Sequence, residues 1–204
     1  MFNVTSIIHA VGYAGLFAIV FAESGLFVGF FLPGDSLLFT AGLLASQGYG
    51  NIVLLIIGCF AAAVLGDSFG YAFGRTVGPR IFTKEDSLFF RKAYIVRTQQ
   101  FYDRHGGRTL VLARFLPVVR TFAPIFAGMG NMPYRTFLFY NVIGGLIWAV
   151  GLTLLGYILG SNIPGIDRYI IPIILFIVII SSLPPLFHII REQLKMARTK
   201  NADA

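Results

Sequence analysis

Residues 52–74, IVLLIIGCFAAAVLGDSFGYAFG, run for 23 positions with a single charged side chain, Asp67. A helix of that length reaches about 34 Å, enough to cross the hydrocarbon layer of a membrane. Such a segment must be buried in a large protein core or given to lipid, and composition decides between the two. Of 204 residues, 56% are hydrophobic and 12% charged, with a mean hydropathy of +0.78. Soluble domains carry about 25% charged residues, and a core of this size cannot hide so many apolar side chains from water. The implied class is an all-α integral membrane protein, one membrane domain over residues 1–204.

Two further segments resemble the first. Residues 136–160 form a second span, and residues 169–190 form a last transmembrane helix that Pro184-Pro185 can kink or end early. Two other apolar stretches resist this treatment. Residues 16–45 are interrupted at Pro33-Gly34, and residues 109–130 around Pro117 and again at Pro124. Each half is too short to cross alone. Irregular backbone at membrane depth persists only where protein or a cavity surrounds it, so both stretches read as broken re-entrant hairpins. A kinked full span followed by a loop is the alternative.

Charge placement sets the orientation. Of 16 basic residues, eight fall between Arg75 and Arg108 and four lie in the tail at Arg191, Lys195, Arg198 and Lys200. Both regions are expected on the cytoplasmic side. Residues 76–107 form a basic linker in which Leu88, Ile95 and Tyr102 recur every seven positions, the pattern of a helix lying on the inner surface. The tail, 191–204, is cytoplasmic, and the N-terminus is then expected outside. An extra crossing by residues 7–31 would reverse that side. The net charge of +7 suits an anionic leaflet, and no nucleic acid partner is expected. The N-terminus lacks the basic start of a cleaved secretory signal and reads as retained. Cys59 cannot form an intrachain disulfide, because it is the single cysteine.

The chain also repeats itself. Ala41-Gly42 matches Ala127-Gly128, Gly58 matches Gly144, and Gly70-Tyr71-x-x-Gly74 matches Gly156-Tyr157-x-x-Gly160, all at an offset of 86 residues. The first repeat, 1–75, ends at basic Arg75. The second, 108–160, ends at a weakly charged loop suited to the outside. The halves therefore read as two inverted repeats, each a broken hairpin plus a Gly-rich transmembrane helix. The small-xxx-small motifs allow close helix approach, with plain packing as their simplest role. A homo-oligomer stays open.

The chemistry lies in the broken stretches. Arg114 and Arg120 flank Pro117. An unbroken helix would turn them about 240° apart, whereas a break lets two short arms fold together. Glu23 and Asp35 lie in the other stretch, with Pro33 and Gly34 just before Asp35. A charge at the bilayer centre costs ~2.5–3.5 kcal/mol on insertion scales, so these groups are expected to converge and offset one another. Salt bridges that lock the hairpins would meet that need. So would a site: arginine's fork binds phosphate, and a carboxylate in a low-dielectric cavity can exchange protons near neutral pH. Arg114 and Arg120 for an anion, with Glu23 and Asp35 for protons, is what a proton-coupled carrier of an amphiphilic anion requires.

The motif E-x(9)-P-G-D (Glu23, Pro33, Gly34, Asp35) resembles the DedA family, also called the SNARE-associated Golgi or VTT-domain family. So does FYDRHGGRTLVLARFLPVVRTFAPIFAG, residues 101–128, followed by Met132 and Trp148. Val118 departs from the family, many of whose members have Gly there. The resemblance runs from about residue 15 to 160 and places the family's acid pair on Glu23 and Asp35 and its arginine pair on Arg114 and Arg120. It implies a lipid transporter, or flippase, in a bacterial cytoplasmic membrane, returning undecaprenyl phosphate or another polyprenyl phosphate for envelope synthesis. Protons and membrane lipids would be its other partners. Scramblase activity is implied by the eukaryotic relatives. A proton-coupled small-ion antiporter and a non-transporting assembly factor are the competing readings.

Weaker signals point elsewhere and fail. G66-D-S-F-G70 matches a serine-hydrolase pattern, but it sits in a helix without the strand–turn–helix setting that chemistry needs. Asp67 is expected to pair with Arg75, or to line the cavity as a third proton site. His9, His105 and His188 have no ligand spacing, so no metal or other cofactor is expected. No His lies within eight residues of Arg114, which argues against a phosphatase and against an enzyme generally. Trp148 reads as packing or lipid-facing.

Overall fold

A computed structural model describes residues 4–26, 34–81 and 106–163, with single positions 102, 104 and 172. Most of the basic linker, the 169–190 helix, the tail and Pro33 lie outside the described residues. Helices α1 (Val4–Gly25), α2 (Gly34–Ser46), α3 (Ile52–Ile81), α4 (Arg108–Ala113), α5 (Pro117–Met129), α6 (Tyr134–Gly145) and α7 (Gly151–Asn162) follow in order. A π-helical turn, Leu146–Val150, joins α6 to α7. No strand occurs among the described residues.

Two of these runs, Ile52–Gly78 and Tyr134–Asn162, are long and apolar enough to cross a membrane. Both turn large apolar side chains outward: Val53, Ile57 and Leu65 on α3, and Leu155 and Ile158 on α7, are each more than half exposed. In water such a surface would drive association; against lipid it needs no cover. The start of α3 is fixed locally. Asn51 Oδ1 accepts from the backbone N–H groups of Val53 (2.9 Å) and Leu54 (3.2 Å), two of the donors that a helix start leaves unpaired. Its own N–H donates to the Tyr13 hydroxyl at 2.6 Å, which ties the α2–α3 turn to α1.

Three expectations need correction. α1 begins at Val4, so its 22 residues measure about 33 Å and are not a short arm starting near residue 16. α3 continues past Arg75 to Ile81. No second break occurs at Pro124, which lies inside α5. Proline removes one hydrogen bond from a helix interior. Here α5 packs along α3 on that side: Pro124 is buried, and its Cβ would lie 3.6 Å from a Cβ placed on Gly70. The break at Pro117 is present, with Pro117 as the first residue of α5, where its missing N–H costs nothing.

The closest packing crosses between the two halves of the sequence. α2 lies against α7, and α5 lies against α3, while α1 also packs on α3. Glycines make the crossings. A Cβ on Gly42 would strike the Thr153 carbonyl, and one on Gly160 would strike Ser46 Oγ. One on Gly128 would strike the Tyr71 carbonyl, and one on Gly74 the carbonyl of Ile125. Gly42 and Gly128 are repeat mates, as are Gly74 and Gly160. Three of these four contacts are with main-chain carbonyls and the fourth with a serine hydroxyl, approaches that only glycine permits.

Gly42→Ala and Gly128→Ala are each expected to destabilise the fold by about 1–3 kcal/mol, the range for overpacking a tight contact. Gly151, with nothing within 4 Å of its Cβ position, should accept Ala without loss. Unfolding midpoints of the three purified variants in mixed micelles check this.

Candidate functional site

Charge collects where the short helices end. Glu23 stands near the end of α1, fully buried. Its Oε1 accepts from the Gly34 N–H at 3.0 Å, so the acid caps α2 from another helix. Gly34 is there by necessity, since a Cβ would fall on the Glu23 carboxylate. Asp35 occupies the first turn of α2, where the helix dipole favours an anion. Both acids thus gather at one helix N-terminus.

The arginines arrive from the α4–α5 break. Arg114 is the C-cap of α4, and Arg120 stands one turn into α5. Arg120 spreads its fork over the acids of α1 and α2: Nη2 meets Glu23, and Nη1 meets Asp35 at 2.6 Å. Arg114 instead meets Asp67 of α3, and its Nη2 also donates to Asn141 Oδ1 on α6 at 3.0 Å. Asn141 Nδ2 in turn donates to the Val64 carbonyl at 3.1 Å. The expected pairing of Asp67 with Arg75 does not occur. Arg75 Nη1 donates to the Tyr71 hydroxyl at 3.2 Å, while Asp67 turns inward to Arg114 on a different helix. Two acids facing two arginines is corrected to three acids and two arginines in two groups.

Trp148 links the groups, a role the sequence did not suggest. It is buried, not lipid-facing. Its Nε1–H donates to Asp35 Oδ1 at 2.6 Å, and its ring lies 5.1 Å from the Arg120 guanidinium carbon and 5.7 Å from that of Arg114. Arg114 fits against α6 because Gly144 and Gly145 leave it room; a Cβ on Gly145 would come 3.0 Å from Nη1. Trp148 is also the midpoint of the Tyr134–Asn162 span, and Asp67 is two positions past the midpoint of Ile52–Gly78. The network therefore sits halfway along both long helices.

Burial is uneven. The Glu23, Asp67 and Arg114 side chains are almost wholly enclosed, while 42% of the Asp35 side chain is exposed. Glu23 Oε2, Arg114 Nη1, Arg120 Nε and the Thr121 hydroxyl are buried without a hydrogen-bond partner among the described residues. The cavity between Asp67, Arg114, Arg120, Pro124, Phe137 and Asn141 measures ≈ 10 Å³, about enough for one water molecule. Among the described residues no cluster of three or more His, Cys, Asp or Glu is placed to hold a metal ion.

Fold and site together define a helical membrane protein with a charge network at the middle of its long helices. Residues 32–158 match the model of the VTT domain, and the chain belongs to that family, the DedA family. It is 47% identical over 188 residues to protein DedA of Escherichia coli K12, covering 91% of this chain and 85% of that one. An uncharacterized membrane protein of Mycobacterium leprae is 43% identical over 187 residues, 90% of this chain and 83% of its own. Inner membrane protein YghB of E. coli K12 is 39% identical over 173 residues, 85% and 78% of the two chains. No solved structure matches the chain.

Removing Arg114 alone strands Asp67 as a buried charge. Arg114→Met should cost about 3–5 kcal/mol, and adding Asp67→Asn should recover most of that loss. A double-mutant cycle on unfolding free energy measures the recovery.

Proposed function

We propose that this protein carries a polyprenyl phosphate, in all expectation undecaprenyl phosphate, across a bacterial cytoplasmic membrane in a proton-coupled cycle. The observation that carries the reading is the Arg120 guanidinium, held at mid-span between two carboxylates and beside the N-termini of α2 and α5. The two helix N-termini favour an anion there, and a phosphate competes for the fork with better geometry than two separate acids. The ≈ 10 Å³ cavity is too small for a headgroup, so a phosphate enters only as Arg120 or Arg114 releases its acid. Ion pairs and substrate binding then alternate rather than compete as explanations. The prenyl tail stays in hydrocarbon beside the apolar tip Leu112–Val119, whose Leu112, Phe115 and Leu116 are exposed.

Protons have a place in this cycle. Three acids face two arginines, so the ionised network carries one surplus negative charge, and a single proton neutralises it. Asp35 is the acid with an exposed side chain and takes the proton first; Glu23, enclosed and capping α2, follows the movement of Arg120. Asp67 and Asn141 hold Arg114 until the headgroup arrives.

The topology proposed with this function is multi-pass, with inverted repeats and a cytoplasmic C-terminus. α4 and α5 measure about 9 and 20 Å, each short of the ~30 Å needed to cross, which supports a re-entrant hairpin there. In the first half α2, about 20 Å long, is likewise short of a crossing, which supports a dip there.

Headgroup flipping in proteoliposomes tests the function. Arg120→Ala at equal expression should slow flipping about 10–100-fold, the worth of one charge-assisted contact, and Asp35→Asn should flatten its pH dependence. Unchanged flipping in both removes the reading. Ion flux in liposomes free of polyprenyl lipid would favour the antiporter instead.

A further inference from the structure

Trp148 has a position that neither packing nor membrane anchoring explains. Charged groups reach it from several elements: Asp35 on α2 through the indole N–H, Arg120 on α5 and Arg114 at the end of α4 through the ring. Behind these stand Glu23 of α1, paired with Arg120, and Asp67 of α3, paired with Arg114. One arginine group contains Glu23 and Asp35, the other Asp67 and Asn141. The indole touches members of both. It also sits in a π-helical turn, an irregularity that costs hydrogen-bond geometry and recurs at functional positions. Here the turn is the joint between α6, which carries Asn141, and α7, which packs on α2 behind Asp35.

We infer that Trp148 is a positioning residue that couples the two arginine groups, so that a proton or phosphate arriving at one alters the hold of the other. The inference rests on the transport reading for its purpose, but the coupling can be seen without transport. When Asp35 takes a proton, it loses its charge toward Arg120 and weakens as an acceptor for the indole. The ring is then free to shift over the two guanidinium groups, whose attraction to its face depends on distance. Arg114 responds although it pairs with Asp67 and with neither Glu23 nor Asp35. Phosphate bound at Arg120 acts in the opposite direction on the indole: it takes the guanidinium from Asp35, which stays ionised and holds the Trp148 N–H more tightly.

The chain has one tryptophan, so its tryptophan emission, excited where tyrosine does not absorb, belongs to Trp148 alone. That emission from the full chain in lipid vesicles should change with pH in a single step. That step should vanish in Asp35→Asn. Its midpoint should move in Asp67→Asn, although Asp67 makes no contact with the ring. A pH-insensitive emission, or a step unmoved by Asp67→Asn, overturns the coupling. A second readout is flipping by Trp148→Phe, which keeps a ring but loses the N–H donor to the carboxylate. Its pH profile should move toward alkaline pH by about one unit; a profile that stays where it was overturns the proposal as well. Should the wild type flip no phosphate lipid, the transport reading fails by itself, and the emission measurements still decide the coupling.

Discussion

A guanidinium far from water must find anions, and Arg120 finds two on different helices. Glu23 comes from α1, Asp35 from α2, and Arg120 itself from α5. Each of these groups costs several kcal/mol to take out of water, and each is tolerable only in the presence of the others. The local backbone follows from that requirement. α2 begins with a glycine because the carboxylate that caps it occupies the space of a side chain. α5 begins at Pro117 because the chain must turn there to aim Arg120 back at the acids. The second arginine repeats the solution with different partners, an acid from a long helix and an asparagine amide.

The same arrangement links stability to chemistry. Apolar replacements could pack this region with less desolvation cost, yet among the described residues the network leaves buried donors on both arginines without partners and one acid partly open. Groups arranged only to lock two helices have no need of spare donors. Groups arranged to exchange one anion for another do, and the proposed phosphate would have more oxygens to satisfy than a departing carboxylate.

Much of this was legible in the residues. Glu23, Asp35, Arg114 and Arg120 stood out because charge in an apolar stretch has few explanations, and the proline breaks indicated how they could meet. The long helices followed from their length and hydropathy. Asp67 was visible, expected either beside Arg75 or lining the cavity; it does line the cavity, but its partner comes from another helix, and single-sequence spacing carries no such contact. Trp148 looked like any aromatic residue in a greasy helix, and a π turn leaves no periodic trace, since one added residue per turn resembles ordinary drift. Pro124 misled for the opposite reason. It usually stops a helix, but packing against α3 holds this one together. The start of α1 was missed because residues 4–15 mix small and polar side chains with apolar ones, which blurs the edge of the segment.

The glycine crossings bear on how such a molecule can move. α2 is fastened to α7 and α5 to α3 by main-chain contacts that tolerate no gap. The mechanical units are therefore not the two halves of the sequence. Each is a hybrid, a short helix from one half riding on a long helix from the other, and Arg120 with Asp35 lies on the seam where the two hybrids meet. A slide along that seam would part the ion pairs while every glycine joint stayed shut.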